Sequence, residues 1–204
     1  MAAKRKRKRR ILPLLLLLAI PLLILALARR APSPAAREVP DWVDVDLLPV
    51  NPYSRPGTAL GKVNAVVVHY VGNPGTSAKN NRGYFAGLAV THATYASSHF
   101  IVGLEGEVIQ CVPLGEVAYC SNDRNGDTIS VEVCHPDETG EFSAVTRESL
   151  LRLLAWLCGA YGLDPETDII RHYDVTGKLC PKYYVEHEDA WQALKADVPA
   201  YREG

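Results

Sequence analysis

The sequence predicts an α/β domain, with a central mixed β-sheet flanked by helices, carried behind an N-terminal transmembrane helix. Three observations point there. Segments with strand patterning alternate along the chain with segments of helical spacing, the arrangement expected of helices packed on a sheet. "NAVVVHYV", residues 64–71, is an uninterrupted β-branched run, as in a strand buried on both faces. Eighteen uncharged residues, "ILPLLLLLAIPLLILALA" at 11–28, directly follow a basic block at 1–10 that holds seven Lys/Arg and no acid.

At the N-terminus, the basic block belongs on the cytoplasmic side of a membrane. At about 1.5 Å per residue the apolar run spans roughly 27 Å, close to the minimum for crossing a bilayer core. It is longer than the roughly 7–15-residue core of a cleaved signal peptide, so a retained single-pass anchor is expected. The alternative is a secreted form, because "ALA" at 26–28 has the small-x-small pattern of a cleavage site. Either way the remainder is exported. The Pro/Ala-rich stretch 29–41 reads as a tether reaching roughly 40 Å when extended. One folded domain, expected to be monomeric, follows at 42–204. Residues 31–204 carry 13 basic and 23 acidic residues, a formal −10, which argues against nucleic acid as a partner.

Within the domain, the 64–71 strand delivers His69 near its C-terminal end. After the turn "GNPGT", residues 78–89 form a helix candidate. "SHFIVGLEGEVIQCV", residues 98–112, holds a Gly-containing turn between two apolar segments and reads as a hairpin. "TISVEVC", residues 128–134, alternates: Ile129, Val131 and Val133 face one way, Ser130 and Glu132 the other. From 146 to 161 the apolar positions 150, 151, 154, 157, 158 and 161 keep helical spacing, with Thr146 as N-cap and Gly162 as the stop. A last helix covers "EDAWQALKAD", residues 188–197.

The segment "RHYDVTGKLCP", residues 171–181, raises the functional question. It places His172, Lys178 and Cys180 on one short irregular stretch, with Gly177 and Pro181 fixing a turn. Imidazole and thiolate are the usual ligands of zinc, but two ligands rarely make a site. Among the six histidines, His69 is the best-placed third, because a polar ring ending an apolar strand needs a hydrogen bond or a metal. Taken singly, each has a plainer reading. His69 could be a satisfied core histidine, Cys180 a buried or disulfide cysteine, Glu132 an exposed edge-strand glutamate, and Lys178 a solvated lysine.

Taken together and in order, "VVVHY", "SSHFIVGLEGEVIQCVPLGEVAY", "TISVEV" and "RHYDVTGKLCP" resemble the N-acetylmuramoyl-L-alanine amidases related to bacteriophage T7 lysozyme and the peptidoglycan recognition proteins. The resemblance covers roughly residues 55–195. It implies a zinc site in a surface groove, with His69, His172 and Cys180 as the three ligands. Three protein ligands suit a catalytic ion, which keeps a position for water, better than a structural one. It further implies hydrolysis of the amide between N-acetylmuramic acid and L-alanine in peptidoglycan. Glu132 would be the general base that later protonates the leaving amine, and Lys178 the cation beside the oxyanion. The expected address is the outer face of a bacterial cell membrane.

The sequence departs from the family in two places. Ser98 falls where the phage enzyme has a tyrosine near its zinc, and Cys120 falls near a groove histidine of some members. His99 reads equally as a groove residue or a structural one, while His92, His135 and His187 sit in polar contexts and are expected to be solvated. Cys111, Cys120, Cys134 and Cys158 allow three full disulfide pairings or none. A non-hydrolytic peptidoglycan-binding module of the same fold is the rival function. Such modules typically lose a ligand, most often at the cysteine position, whereas all are present here. A metallopeptidase of the HExxH type is excluded, since no such motif occurs.

Overall fold

In the computed structural model, residues 35–201 are described. Their strands are β1 (Asp44–Val45), β2 (Ala65–Tyr70), β3 (Phe100–Val102), β4 (Val108–Gln110), β5 (Thr128–Val133) and β6 (Ile169–Arg171). The helices are α1 (Ala78–Thr91), α2 (Ala144–Tyr161), α3 (His172–Thr176), α4 (Lys182–Glu186) and α5 (Glu188–Asp197). The strands form a sheet in the order β1-β4-β3-β5-β2-β6. β2 lies inside it, parallel to β5 on one side and to β6 on the other. Only the β3–β4 hairpin is antiparallel, so the sheet is mixed as expected.

Strand alternation sorts the side chains between two layers. Val66 and Val68 of β2 join Ile129, Val131 and Val133 of β5 in a core with Leu150, Leu151, Leu153, Leu154 and Leu157 of α2. Fully burying one such leucine is worth roughly 1.5–3 kcal/mol, so packing rather than intrinsic propensity holds α2 on the sheet. Ile101, Ile109, Cys111 and Cys134 pack with Ala78 and Phe85 of α1 in a second cluster. The intervening positions of the neighbouring strands β2 and β5, Val67, His69, Ser130 and Glu132, point away from α2. In register, His69 stands directly opposite Glu132.

Several boundaries differ from those the sequence predicts. α2 starts at Ala144 under Ser143, whose Oγ accepts from the Thr146 amide at 3.3 Å. Thr146 is therefore not the cap. It lies buried in the first turn, where its hydroxyl donates to the Gly103 carbonyl at 3.0 Å. Gly162 does end α2, at φ +67°. α1 runs to Thr91, and α5 has the predicted bounds. The hairpin turn needs Gly106, since at φ +84° a Cβ there would meet Ser149 Oγ at 2.8 Å.

The stretch 29–41, expected as an extended tether, packs on the domain at residues of its described part. Ala35 and Val39 belong to the α2-side core, and the Ala35 carbonyl accepts from the Tyr161 hydroxyl at 2.6 Å. The basic segment 1–10, the anchor or signal segment 11–28 and the start of the tether lie outside the described residues. Among the described residues, no helix is long and apolar enough to cross a membrane.

Candidate active site

Because β2, β5 and β6 are parallel, their carboxyl ends share one edge of the sheet, where open α/β sheets usually bind ligands. His69 and Tyr70 end β2, Glu132 lies one residue from the end of β5, and His172 follows β6 directly. A groove of about 630 Å³ opens there, lined by His69, Glu132, His172, Lys178 and Cys180 among others. All five site residues expected from the sequence thus meet in one place. A second hollow of about 510 Å³, under Trp42, Trp156 and Tyr201, contains no histidine or carboxylate.

His69, His172 and Cys180 are buried, and one ligand atom from each lies within 4.8 Å of the others. Cys180 Sγ is 3.8 Å from His69 Nδ1. The outward ring nitrogens are occupied: His69 Nε2 meets Ser121 Oγ at 3.3 Å, and His172 Nε2 meets Asn122 Oδ1 at 2.9 Å. His172 Nδ1 is buried with no hydrogen-bond partner. An orphaned imidazole nitrogen beside a second ring and a thiol is the donor set a metal ion would complete. His69, Cys120 and Glu132 form a second group with ligand atoms within 4.8 Å. There, however, the Cys120 thiol donates to Glu132 Oε1 at 3.6 Å, so that thiol and one carboxylate oxygen are already engaged with each other.

The electrostatics follow from burial. Burial pushes the His69 imidazole well below its ordinary value, and the charges on His172 and Lys178 act in the same direction. His172 is lowered for the same reasons, burial first and then Lys178. Neutral imidazole is the form that binds metal. Burial raises the Cys180 thiol to about 12, with Glu132 adding to the effect. Glu132 itself is pushed up to about 7 by burial, against the opposing pulls of the Cys120 thiol and Lys178. Its Oε2 is buried without a partner. β5 is an interior strand, so Glu132 is not an edge-strand surface residue.

The 171–181 segment is held from below by Arg171, which the sequence reading passed over. Its guanidinium donates to Asp174 at 2.9 Å, to Glu188 at 2.6 Å and to the Tyr184 carbonyl at 2.9 Å, and it lies 5.4 Å from the Trp191 ring centre. Gly177 closes α3 at φ +75° and sends the chain on to Lys178 and Cys180. Ser121, Asn122, Tyr95 and Tyr119 were likewise not singled out. For Ser121 and Asn122 the available signal is the dense Ser/Asn/Asp/Gly composition of "CSNDRNGD", residues 120–127, which does not extend to Tyr95 or Tyr119.

Other expectations resolve. His99 is structural: its Nδ1 accepts from the Ser130 amide at 3.0 Å and its Nε2 bonds the Glu116 carbonyl at 2.9 Å. Ser98 turns from the groove and donates to the Phe100 carbonyl at 2.8 Å. His92 and His187 are exposed, but His135 is not solvated as expected. It is buried, stacked on Tyr70 at 5.0 Å, with Nδ1 on the Asp137 carbonyl at 2.7 Å. Cys111, Cys120 and Cys134 form no disulfide.

Comparison with known proteins agrees with this geometry. A family model described as Amidase_2, N-acetylmuramoyl-L-alanine amidase, matches residues 59–183. The chain is 37% identical over 177 residues to N-acetylmuramoyl-L-alanine amidase BlyA of Bacillus subtilis (strain 168), covering 77% of this chain and 47% of that protein. It is 38% identical over 162 residues to N-acetylmuramoyl-L-alanine amidase CwlL of Bacillus licheniformis, covering 73% and 44%. The chain thus spans about half the length of the curated relatives it matches. The catalytic domain of XlyA superposes with a TM-score of 0.64 at 26% identity, covering 76% of this chain and 98% of that one. PlyL shares the fold with a TM-score of 0.65 at 23% identity, covering 79% and 99%. By matched family model, related sequence and shared fold, the chain belongs to the Amidase_2 family of N-acetylmuramoyl-L-alanine amidases.

Proposed function

We propose that this chain is a zinc-dependent hydrolase of the amide between the lactyl group of N-acetylmuramic acid and the L-alanine of the peptidoglycan stem. His69, His172 and Cys180 hold the metal, Glu132 is the general acid–base, and Lys178 stabilises the oxyanion. One observation carries this reading: the orphaned His172 Nδ1 and the orphaned Glu132 Oε2 line the same groove beside His69 and Cys180. A zinc ion held there supplies a lowered pKa for the attacking water and polarisation of the scissile carbonyl.

The residues divide the remaining work. Glu132, brought to about 7 by burial, takes a proton from water near neutral pH. The water oxygen bonds to the lactyl carbonyl carbon, and the Lys178 ammonium stands against the negative charge that develops on the carbonyl oxygen. Glu132 then gives the proton to the departing nitrogen as the C–N bond breaks, leaving a muramoyl carboxylate and a free L-alanine amine. An open groove of about 630 Å³ admits a branched glycopeptide. The residues whose loss would leave only a binding module are all present, which favours hydrolysis over that rival.

The proposed setting is the outer face of a bacterial membrane, with residues 11–28 as anchor and the acidic domain acting on nearby wall layers. Protease protection of fractionated cells tests it: a soluble form beginning near Arg29 refutes the anchor. For the chemistry, purified peptidoglycan is digested with the wild-type chain and with Glu132→Ala. The wild type should release new L-alanine amino termini and no new reducing sugar ends. Glu132→Ala should keep fold and zinc while turnover falls roughly 10²-fold or more. Unchanged turnover in a folded variant removes Glu132 from the mechanism.

A further inference from the structure

Two tyrosines of the groove, Tyr95 and Tyr119, belong to a ladder of aromatic rings that the hydrolytic residues do not use. His92 and Tyr53 stack at 4.3 Å with 10° between their planes. Tyr95 stacks on Tyr53 at 5.1 Å and 23°, and Tyr119 meets Tyr95 edge-on at 5.8 Å and 86°. Tyr95 and Tyr119 line the groove that holds His69 and Glu132. Even so, Tyr95 remains 62% exposed.

The backbone braces this ladder. The Tyr53 amide donates to Asn51 Oδ1 at 2.8 Å, and the Ala96 amide donates to the Tyr53 carbonyl at 3.1 Å. Ser97 and Tyr119 are tied twice: the Ser97 amide donates to the Tyr119 carbonyl, and the Tyr119 amide donates to Ser97 Oγ, both at 3.0 Å. Tyr95 is thus a large ring fixed from behind, with surface left open beside the reacting groups. A fixed, exposed tyrosine offers broad amphipathic contact at little further entropy cost on binding.

We propose that Tyr95, backed by Tyr53 and flanked by Tyr119, is a stacking platform for a pyranose ring of the glycan strand next to the cleaved amide. This rests on the peptidoglycan reading. Of that substrate's parts, the stem peptide is aliphatic and polar near the cleaved bond. The sugars instead present flat faces of C–H groups, positively polarised, that match the negative face of an aromatic ring. The site therefore distinguishes a stem borne on a multi-sugar strand from the same stem on a single muramic acid.

The test compares kcat/KM of the full chain on solubilised glycan strands bearing stems with that on N-acetylmuramoyl-tripeptide. The readout is the strand-to-minimal ratio, which is internal to each sample and so readable in a partly folded variant. Tyr95→Ala should lower the ratio roughly three- to tenfold, and Tyr95→Phe should keep it. An unchanged ratio in Tyr95→Ala overturns the platform. So does an equal loss in Tyr95→Phe, because the hydroxyl rather than the ring face would then be responsible. If the wild-type chain cleaves neither substrate, the hydrolytic reading has failed and binding decides the platform. Peptide-free glycan strands should then bind Tyr95→Ala more weakly by the same factor, and equal affinity overturns it.

Discussion

Ser121 and Asn122 hold the two site imidazoles by Nε2, which leaves Nδ1 of each ring for the proposed metal. Asn122 reaches its histidine from a left-handed backbone conformation, φ +51°, and Asn125 Oδ1 accepts from the amides of both Cys120 and Ser121. Such partners fix ring orientation and tautomer, and losing one costs roughly 10–100-fold in metal affinity. Asn122→Ala should weaken zinc by that factor in competition with a chelator, while Asn122→Asp, which keeps the acceptor, should not. Equal affinity in Asn122→Ala makes the contact incidental. The sequence exposed His69, His172 and Cys180 through the ordered motifs that carry the family resemblance, since each taken singly has a plainer reading. It hid Ser121 and Asn122, because serine and asparagine in a polar loop read first as turn residues.

At the scale of elements, strand alternation was legible and predicted the paired face. Ser130 and Glu132 point away from Ile129, Val131 and Val133, and parallel pairing with β2 sets Glu132 opposite His69. The pairing itself was not legible, because it depends on which strands become neighbours rather than on any local pattern. The N-cap of α2 was misplaced by three residues. Ser143 and Thr146 are both capping types three positions apart, and only burial of the Thr146 hydroxyl against Gly103 distinguishes them. The segment after β6 depends on Arg171, whose fork serves Asp174, Glu188 and a carbonyl at once. Arg171→Lys should not substitute for it, because an ammonium cannot reproduce that planar geometry. Both Arg171→Ala and Arg171→Lys should lower the unfolding free energy by roughly 1–3 kcal/mol in urea titrations. Full stability in Arg171→Lys contradicts the fork argument.

For the whole molecule, the buried neutral His99 ties stability to pH. Burial lowers its pKa from 6.5 to about 4. Below 6.5 the unfolded chain takes up a proton that the folded chain refuses until about pH 4. The stabilisation is therefore complete above 6.5 and is lost as pH falls toward 4, by up to roughly 3 kcal/mol. His99→Gln should flatten the fall in urea midpoint across that window by about one proton, and an unaltered slope removes His99 as the cause. The central claim is that the groove at the carboxyl ends of β2, β5 and β6 is a metal-dependent amidase site. Zinc content and release of L-alanine amino termini from peptidoglycan, measured on the same preparations of wild type and Cys180→Ser, test it most directly. The expected result is about one zinc per wild-type chain, with both zinc and release reduced together in Cys180→Ser. A Cys180→Ser chain that keeps full zinc and full release contradicts it.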